Sequence, residues 1–272
     1  MPGTTSPQLS FHDLGPLEVL RGGTPVALGG ARLHAALSLL LVHAGRPVPA
    51  DALGDAMWGE RSPGRSSSTL DSHVWRLRRA LEPGRPPGAP SAVLVREPGG
   101  YRLVADPGSV DSRRFARLAA SVAALLPAAE LHEAAAAAAQ ALGLWRGRPW
   151  PTVADRPWAA PDVARVEELR DQVREVLAEA LIAAGAPQRA LLELGSSLAQ
   201  TPLRERLWAL RMLAQHRLGR AEEALRSYRQ VRAMLLDELG LEPGAELRGL
   251  HRRILAADPT LAGPPAPRVA TG

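Results

Sequence analysis

Apolar residues recur at two different spacings along this chain, and the change from one to the other divides it. Short apolar runs at Leu14–Leu20 and Pro25–Leu28 flank Gly22-Gly23 and predict a strand hairpin. Ala31–His43 carries Leu33, Leu37, Leu40 and Leu41 at helical spacing and is stopped by Gly45-Arg46-Pro47. Ala50–Trp58 is a second, short helix with Leu53 and Met57 on one face, followed by a Gly/Ser/Pro-rich loop over Gly59–Arg65. A third helix is predicted over residues 66–82, with Leu70, Val74, Leu77 and Leu81 on one narrow stripe. Pro86–Pro90 reads as a connector. Ala92–Arg96 and Tyr101–Val104 then form a hairpin around Glu97-Pro98-Gly99-Gly100. Strand pair, three helices and strand pair make a winged helix-turn-helix with an extra N-terminal sheet.

From Val110 onward the alternating pattern disappears, and long Ala/Leu/Arg/Glu segments predict helices alone. Within them Gly185, Ala190 and Leu191 recur 34 residues later as Gly219, Ala224 and Leu225, which is tetratricopeptide spacing. Further helices are expected at Ser112–Leu126, Glu130–Trp145 and Ala245–Ala257. The expected fold is an α+β N-terminal winged helix-turn-helix followed by an all-α tetratricopeptide-like domain. Boundaries fall at 11–106 and 107–258, with a flexible N-terminus over 1–10 and a disordered Pro/Gly-rich tail over 259–272.

Composition narrows the chemistry. The 272 residues carry 33 basic and 28 acidic side chains, a formal charge of +5, and every basic residue is arginine. Without lysine there is no Schiff base and no Walker-type phosphate loop. Without cysteine there are no disulfides or thiolate metal sites. The first fifteen residues lack the basic and apolar regions of a signal peptide, and the alanine-rich run near Glu133–Leu144 is too short and weakly apolar for a bilayer. A cytoplasmic, nucleoid-associated protein with no membrane partner is expected.

The candidate chemistry lies opposite the leucine stripe of the third helix. Ser68, Ser72, Arg76 and Arg79 gather there, with Trp75 beside them and Thr69 and His73 on a flank. A helix that only docks on a core needs the leucines. Small hydroxyls allow close approach to a surface, and arginine forks match guanine edges and phosphates. The hairpin adds Arg96 and Arg102 near the adjacent backbone or minor groove. Blander readings suit the rest. His12, His34, His43, His132, His216 and His251 show no metal-ligand spacing. Trp145, Trp150, Trp158 and Trp208 read as packing residues, and the pairs Glu167-Glu168, Glu222-Glu223 and Asp237-Glu238 as solvated ion-pair partners. No nucleophile, metal cluster or cofactor motif is readable, so an enzyme is not expected. Two classes remain: a DNA-binding regulator, or an interaction scaffold whose N-terminal domain merely packs.

Several motifs in order carry a resemblance across both domains: TLDSHVWRLRRAL at 69–81, GGYRL at 99–103, ALGLWRG at 141–147, PLRERLW at 202–208, GRAEEALRSYRQVRAMLLDELGLEPGAEL at 219–247 and HRRIL at 251–255. The chain resembles the Streptomyces antibiotic regulatory protein family in its short form. Such proteins join an OmpR/PhoB-type winged helix, the output module of two-component-like phosphorelays, to a bacterial transcriptional activation domain. The resemblance implies an activator that binds direct repeats in promoter DNA as head-to-tail protomers. It also implies contact with RNA polymerase, including the primary sigma factor, and control of a secondary-metabolite cluster. By position it implicates Ser68, Thr69, His73, Arg76 and Arg78, with Arg96 on the wing. Helical geometry selects Ser72, Arg76 and Arg79, so Arg76 is reached by both routes. Trp75 stands where many such helices carry a polar residue.

Overall fold

The computed structural model describes residues 8–59, 67–125 and 130–262, and of Ser67 and Ser68 the backbone alone. The described residues fall into two compact units, one within 1–116 and 143–168 and the other within 117–142 and 169–272.

The first unit opens with a three-stranded antiparallel sheet, β1 (Leu9–His12), β2 (Glu18–Arg21) and β3 (Thr24–Pro25), with β2 and β3 joined through Gly22-Gly23. Two expectations are corrected here. Leu9 and Ser10 belong to a strand rather than to a flexible terminus. Residues 14–17, expected as strand, form a loop whose Leu14 and Leu17 are nonetheless buried. The reason is a partner distant in sequence. Arg146 donates its backbone N–H to the Leu14 carbonyl at 2.8 Å and its guanidinium to the His12 and Pro16 carbonyls at 2.9 Å each. Loop backbone groups are thus satisfied without a ladder.

Three helices follow: α1 (Ala31–Val42), α2 (Ala50–Trp58) and α3 (Ser67–Leu81). The leucines of α1, Leu53 and Met57 of α2, and Val74, Leu77 and Leu81 of α3 share one core with Phe11, Val19, Leu94 and Leu103. The hairpin β4 (Leu94–Glu97) and β5 (Gly100–Leu103) pairs Arg96 with Tyr101 and Glu97 with Gly100. Tyr101 also exchanges two 2.8 Å backbone hydrogen bonds with Val48, which seats the hairpin on the α1–α2 connection.

Asp13 ties the segment 143–168 into this unit. Fully buried, it accepts from the Ser112 backbone N–H at 2.8 Å, the Ser112 hydroxyl at 2.7 Å and the Trp150 indole N–H at 3.0 Å. Trp150 has a φ of 45°, a strained value for a bulky residue, and is held there by that bond and by its own N–H on the Asp13 carbonyl. Burial outweighs the three donors and, with the charge of Asp111 nearby, holds the Asp13 carboxyl above its ordinary value. A folded pKa that is raised means stability fully present below the unfolded pKa and lost as pH climbs through the folded one. Wild-type stability measured relative to Asp13→Asn, which cannot titrate, should therefore fall as pH rises from about 3.9 and then level off. Urea unfolding followed by tryptophan fluorescence checks this; a difference that stays constant with pH sinks it.

The second unit is helical. It contains α5 (Leu131–Leu142), α7 (Pro187–Gln200), α8 (Glu205–Arg217), α9 (Ala221–Leu239) and α10 (Ala245–Leu255), together with the C-terminal parts of α4 (Asp111–Leu125) and α6 (Ala160–Ala183). The 34-residue recurrence has a physical basis. Gly185 and Gly219 both follow a helix in the left-handed region, at φ 78° and 75°. The next N–H reaches back to the Leu181 and Gln215 carbonyls respectively, the same closure twice. Ala190 and Ala224 are fully buried. One further correction falls at the C-terminus. Pro259–Leu261, expected within a disordered tail, form a 3₁₀ turn capped by the Asp258 carboxylate, with Leu261 buried; residues 263–272 lie outside the described residues.

Candidate nucleic-acid interface

The helix α3 shows its polar side because its apolar side is fully used. With Val74, Leu77 and Leu81 in the core and Leu70 partly buried, positions 72, 75, 76 and 79 point outward by helical geometry. Ser72, Arg76 and Arg79 are exposed, and Trp75 keeps 52% of its surface open to solvent. The Arg79 guanidinium lies 5.4 Å from the Trp75 ring centroid, a cation–π arrangement that orients both. Beside this strip a concavity of about 660 Å³ runs between His73, Arg76 and Arg79 and the segment Ala27–Leu33 that leads into α1.

The remaining candidates are placed less uniformly. The side chain of Ser68 lies outside the described residues. Thr69 is half-buried. Its carbonyl sits 2.9 Å from His73 Nδ1, so the bond requires a proton on that nitrogen. The His73 ring also meets Trp58 edge-on at 5.3 Å. Arg78, carried over as a contact, turns toward the hairpin and donates its Nε–H to the Leu94 carbonyl at 2.9 Å. Arg102 is drawn to Glu97, with both Nε and Nη2 2.6 Å from one carboxylate oxygen. Arg96 remains mostly exposed, 3.9 Å from Asp71. The structure therefore brings Ser72, Trp75, Arg76 and Arg79 into one strip, with Arg96 at the hairpin. It engages Arg78 and Arg102 within the fold.

Three residues outside the sequence candidates organise this surface. Tyr101 is buried except for 2% of its surface, and its hydroxyl donates to Asp71 Oδ1 at 3.0 Å. Burial first, and then the carboxylate it serves, push the phenol above its ordinary value. Glu82, just beyond α3, accepts from the Ala92 N–H at 2.8 Å, the Val93 N–H at 3.3 Å and the Ser91 hydroxyl, which fixes the start of β4. A buried tyrosine needs an acceptor, and that is the signal in GGYRL that points back to α3. Among the described residues no group of three or more His, Asp or Glu is placed to hold a metal ion, and no helix is long and apolar enough to cross a membrane.

A winged helix-turn-helix with an arginine-bearing third helix, joined to tetratricopeptide-like helices, defines the class of OmpR-type transcription regulators. Residues 23–103 match the family model described as "Transcriptional regulatory protein, C terminal", and residues 110–255 match "Bacterial transcriptional activator domain". The regulatory protein DnrI of Streptomyces peucetius is 36% identical over 97% of this chain and 98% of its own length. The regulatory protein AfsR of Streptomyces coelicolor is 38% identical over 93% of this chain, which spans only 25% of that larger relative. A solved structure of Mycobacterium tuberculosis EmbR, in complex with a low-affinity phosphopeptide, superposes with a TM-score of 0.86 at 33% identity, covering 93% of this chain and 66% of that one. The chain belongs to the Streptomyces antibiotic regulatory protein family.

Proposed function

We propose that the chain is a sequence-specific transcriptional activator in which 11–106 binds DNA and 107–258 is the activation domain. The observation that carries this is the strip Ser72, Trp75, Arg76 and Arg79, open to solvent while the leucines behind it are sealed in the core. The helix α3 lies in a major groove, Arg76 and neighbouring hydroxyls read base edges, and Arg79 with exposed helix amides holds phosphates. Trp75 stacks on sugar or a thymine methyl, and Arg96 reaches the flanking backbone or minor groove. One such module covers few base pairs, so two protomers sit head to tail on direct repeats about one helical turn apart. Bound in this way they recruit RNA polymerase through its primary sigma factor, at promoters of a secondary-metabolite cluster.

The expected result for Arg76→Ala is a loss of about 1–3 kcal/mol at the recognised site with flattened preference at one base position. Footprinting on promoters near the gene supplies the site, and mobility-shift titration supplies the affinity. Unchanged affinity together with unchanged base preference would falsify the assignment. Retention on DNA-cellulose should fall steeply with salt, because phosphate contacts release counterions; a scaffold without a DNA-reading surface would show neither property.

A further inference from the structure

An acidic residue on a surface that meets phosphates needs a reason, and Asp71 is such a residue. It lies on α3 next to Ser72, half its side chain open to solvent. Its Oδ1 receives the Tyr101 hydroxyl at 3.0 Å and faces Arg96 Nη1 at 3.9 Å. Two guanidinium groups, Arg78 from α3 and Arg96 from β4, each lie 5.8 Å from the Tyr101 ring centroid. Arg78 is fixed by the Leu94 carbonyl. Among the described residues Arg96 meets the ring and Asp71.

The two bonds of Asp71 differ in kind. The tyrosine bond is partly buried and structural, since it pairs the hydroxyl of a tyrosine whose ring lies in the core. The arginine contact is long, exposed and weak, so a phosphate or base can displace it. A carboxylate in this position confines Arg96 to one side of the hairpin and repels phosphates that approach out of register.

We propose that Asp71 is a positioning residue for DNA recognition: it holds Arg96 beside α3 and withholds it from indiscriminate phosphate contact. The proposal rests on the DNA-binding reading above and deepens it, because specificity then depends on an acid that touches no phosphate. In the seated complex Arg96 leaves Asp71 for the DNA from a fixed starting geometry. On random duplex the same arginine stays partly neutralised.

The test uses the full chain, the duplex that it selects from a random pool, and an unselected duplex of equal length. Asp71→Asn keeps an oxygen for the Tyr101 hydroxyl and removes the charge. Its affinity for unselected duplex should rise about threefold, and that for the selected duplex should fall about threefold, the scale of an exposed charge pair. The ratio of the two thus drops about tenfold. The salt slope on unselected duplex should steepen by about one phosphate contact. A purely structural role would leave that slope unchanged. In an Arg96→Ala background the effect of Asp71→Asn should shrink to the small direct repulsion of phosphates. Arg96→Ala alone, which leaves the Tyr101 bond intact, should also lower the ratio. A ratio within about twofold of wild type in either single variant overturns the proposal, as does an undiminished Asp71→Asn effect without Arg96. The Arg96→Ala arm decides even if Asp71→Asn melts early. If the wild-type chain selects no sequence, the DNA-binding reading and this proposal fall together; a selective wild type with an indifferent Asp71→Asn removes only the latter.

Discussion

Leu77→Asp should eliminate the cooperative melting of the unit that carries α3. Leu77 is 1% exposed and sits among Leu37, Leu53, Val74, Leu94 and Leu103 in the shared core. Truncating a leucine in such a site costs about 2–5 kcal/mol before any charge is considered. An aspartate there also has no cationic partner among those apolar neighbours, and an unpaired buried carboxylate costs several kcal/mol more even after relaxation. Against a total of about 5–15 kcal/mol for a domain of this size, the sum reaches or exceeds what holds the unit together. Calorimetry and near-ultraviolet circular dichroism of the full chain are the measurements, with DNA retention expected to disappear as well. A wild-type melting profile would mean that the leucine stripe does not anchor α3, and the outward strip would lose its physical basis.

The same stripe explains why so much of this fold can be read from residues alone. In α2 and α3 the apolar spacing is set by one core on one side, while α1 is buried on every face from Ala35 to Leu41 and is bounded by its glycines, so each observed helix lies within a residue or so of its expected bounds. The sheet is different. The strand over Leu9–His12 follows a Pro/Ser/Thr-rich start and has no alternation to announce it. Leu14 and Leu17 look like strand residues because they are apolar, yet the backbone partner of Leu14 and Pro16 is Arg146, which local pattern does not reveal. Trp150 illustrates the same limit: its packing role is legible in composition, but its bond to Asp13 is not.

At the candidate site, helical geometry is enough to find Ser72, Trp75, Arg76 and Arg79, since a face depends only on spacing. Which arginine is available is a separate question, decided across strands. Arg78 faces Leu94 and Tyr101 because β4 and β5 pair Arg96 with Tyr101, and Arg102 faces Glu97 on the facing strand. Asp71 escapes a sequence reading for the opposite reason. An acid among arginines looks like a surface ion pair until the buried phenol that needs it is located.

Replacing Gly100 by alanine should displace the hairpin and, with it, the placement of Arg96. A Cβ at Gly100 would lie 2.0 Å from the Val48 carbonyl oxygen, 2.6 Å from its carbon and 2.8 Å from the Pro49 Cα. These are backbone atoms, so no rotamer change relieves the collision. The φ of 135° adds strain for any side chain. The site cannot open without breaking the two 2.8 Å hydrogen bonds between Val48 and Tyr101, the contact that seats β5 beside the α1–α2 connection. Strain of this kind costs about 1–3 kcal/mol and the lost pair about 1 kcal/mol per bond, giving on the order of 3 kcal/mol or more for the unit. The consequence differs from that of Leu77→Asp, because the helical core stays closed while the hairpin loosens. Hydrogen exchange should accelerate at the Val48 and Tyr101 amides well beyond any change at Leu37 or Leu40. DNA affinity should fall toward that of Arg96→Ala, since Tyr101 no longer delivers its hydroxyl to Asp71. Wild-type protection at both amides would show that β5 can yield without leaving Val48, and the glycine would then owe its place to the turn alone.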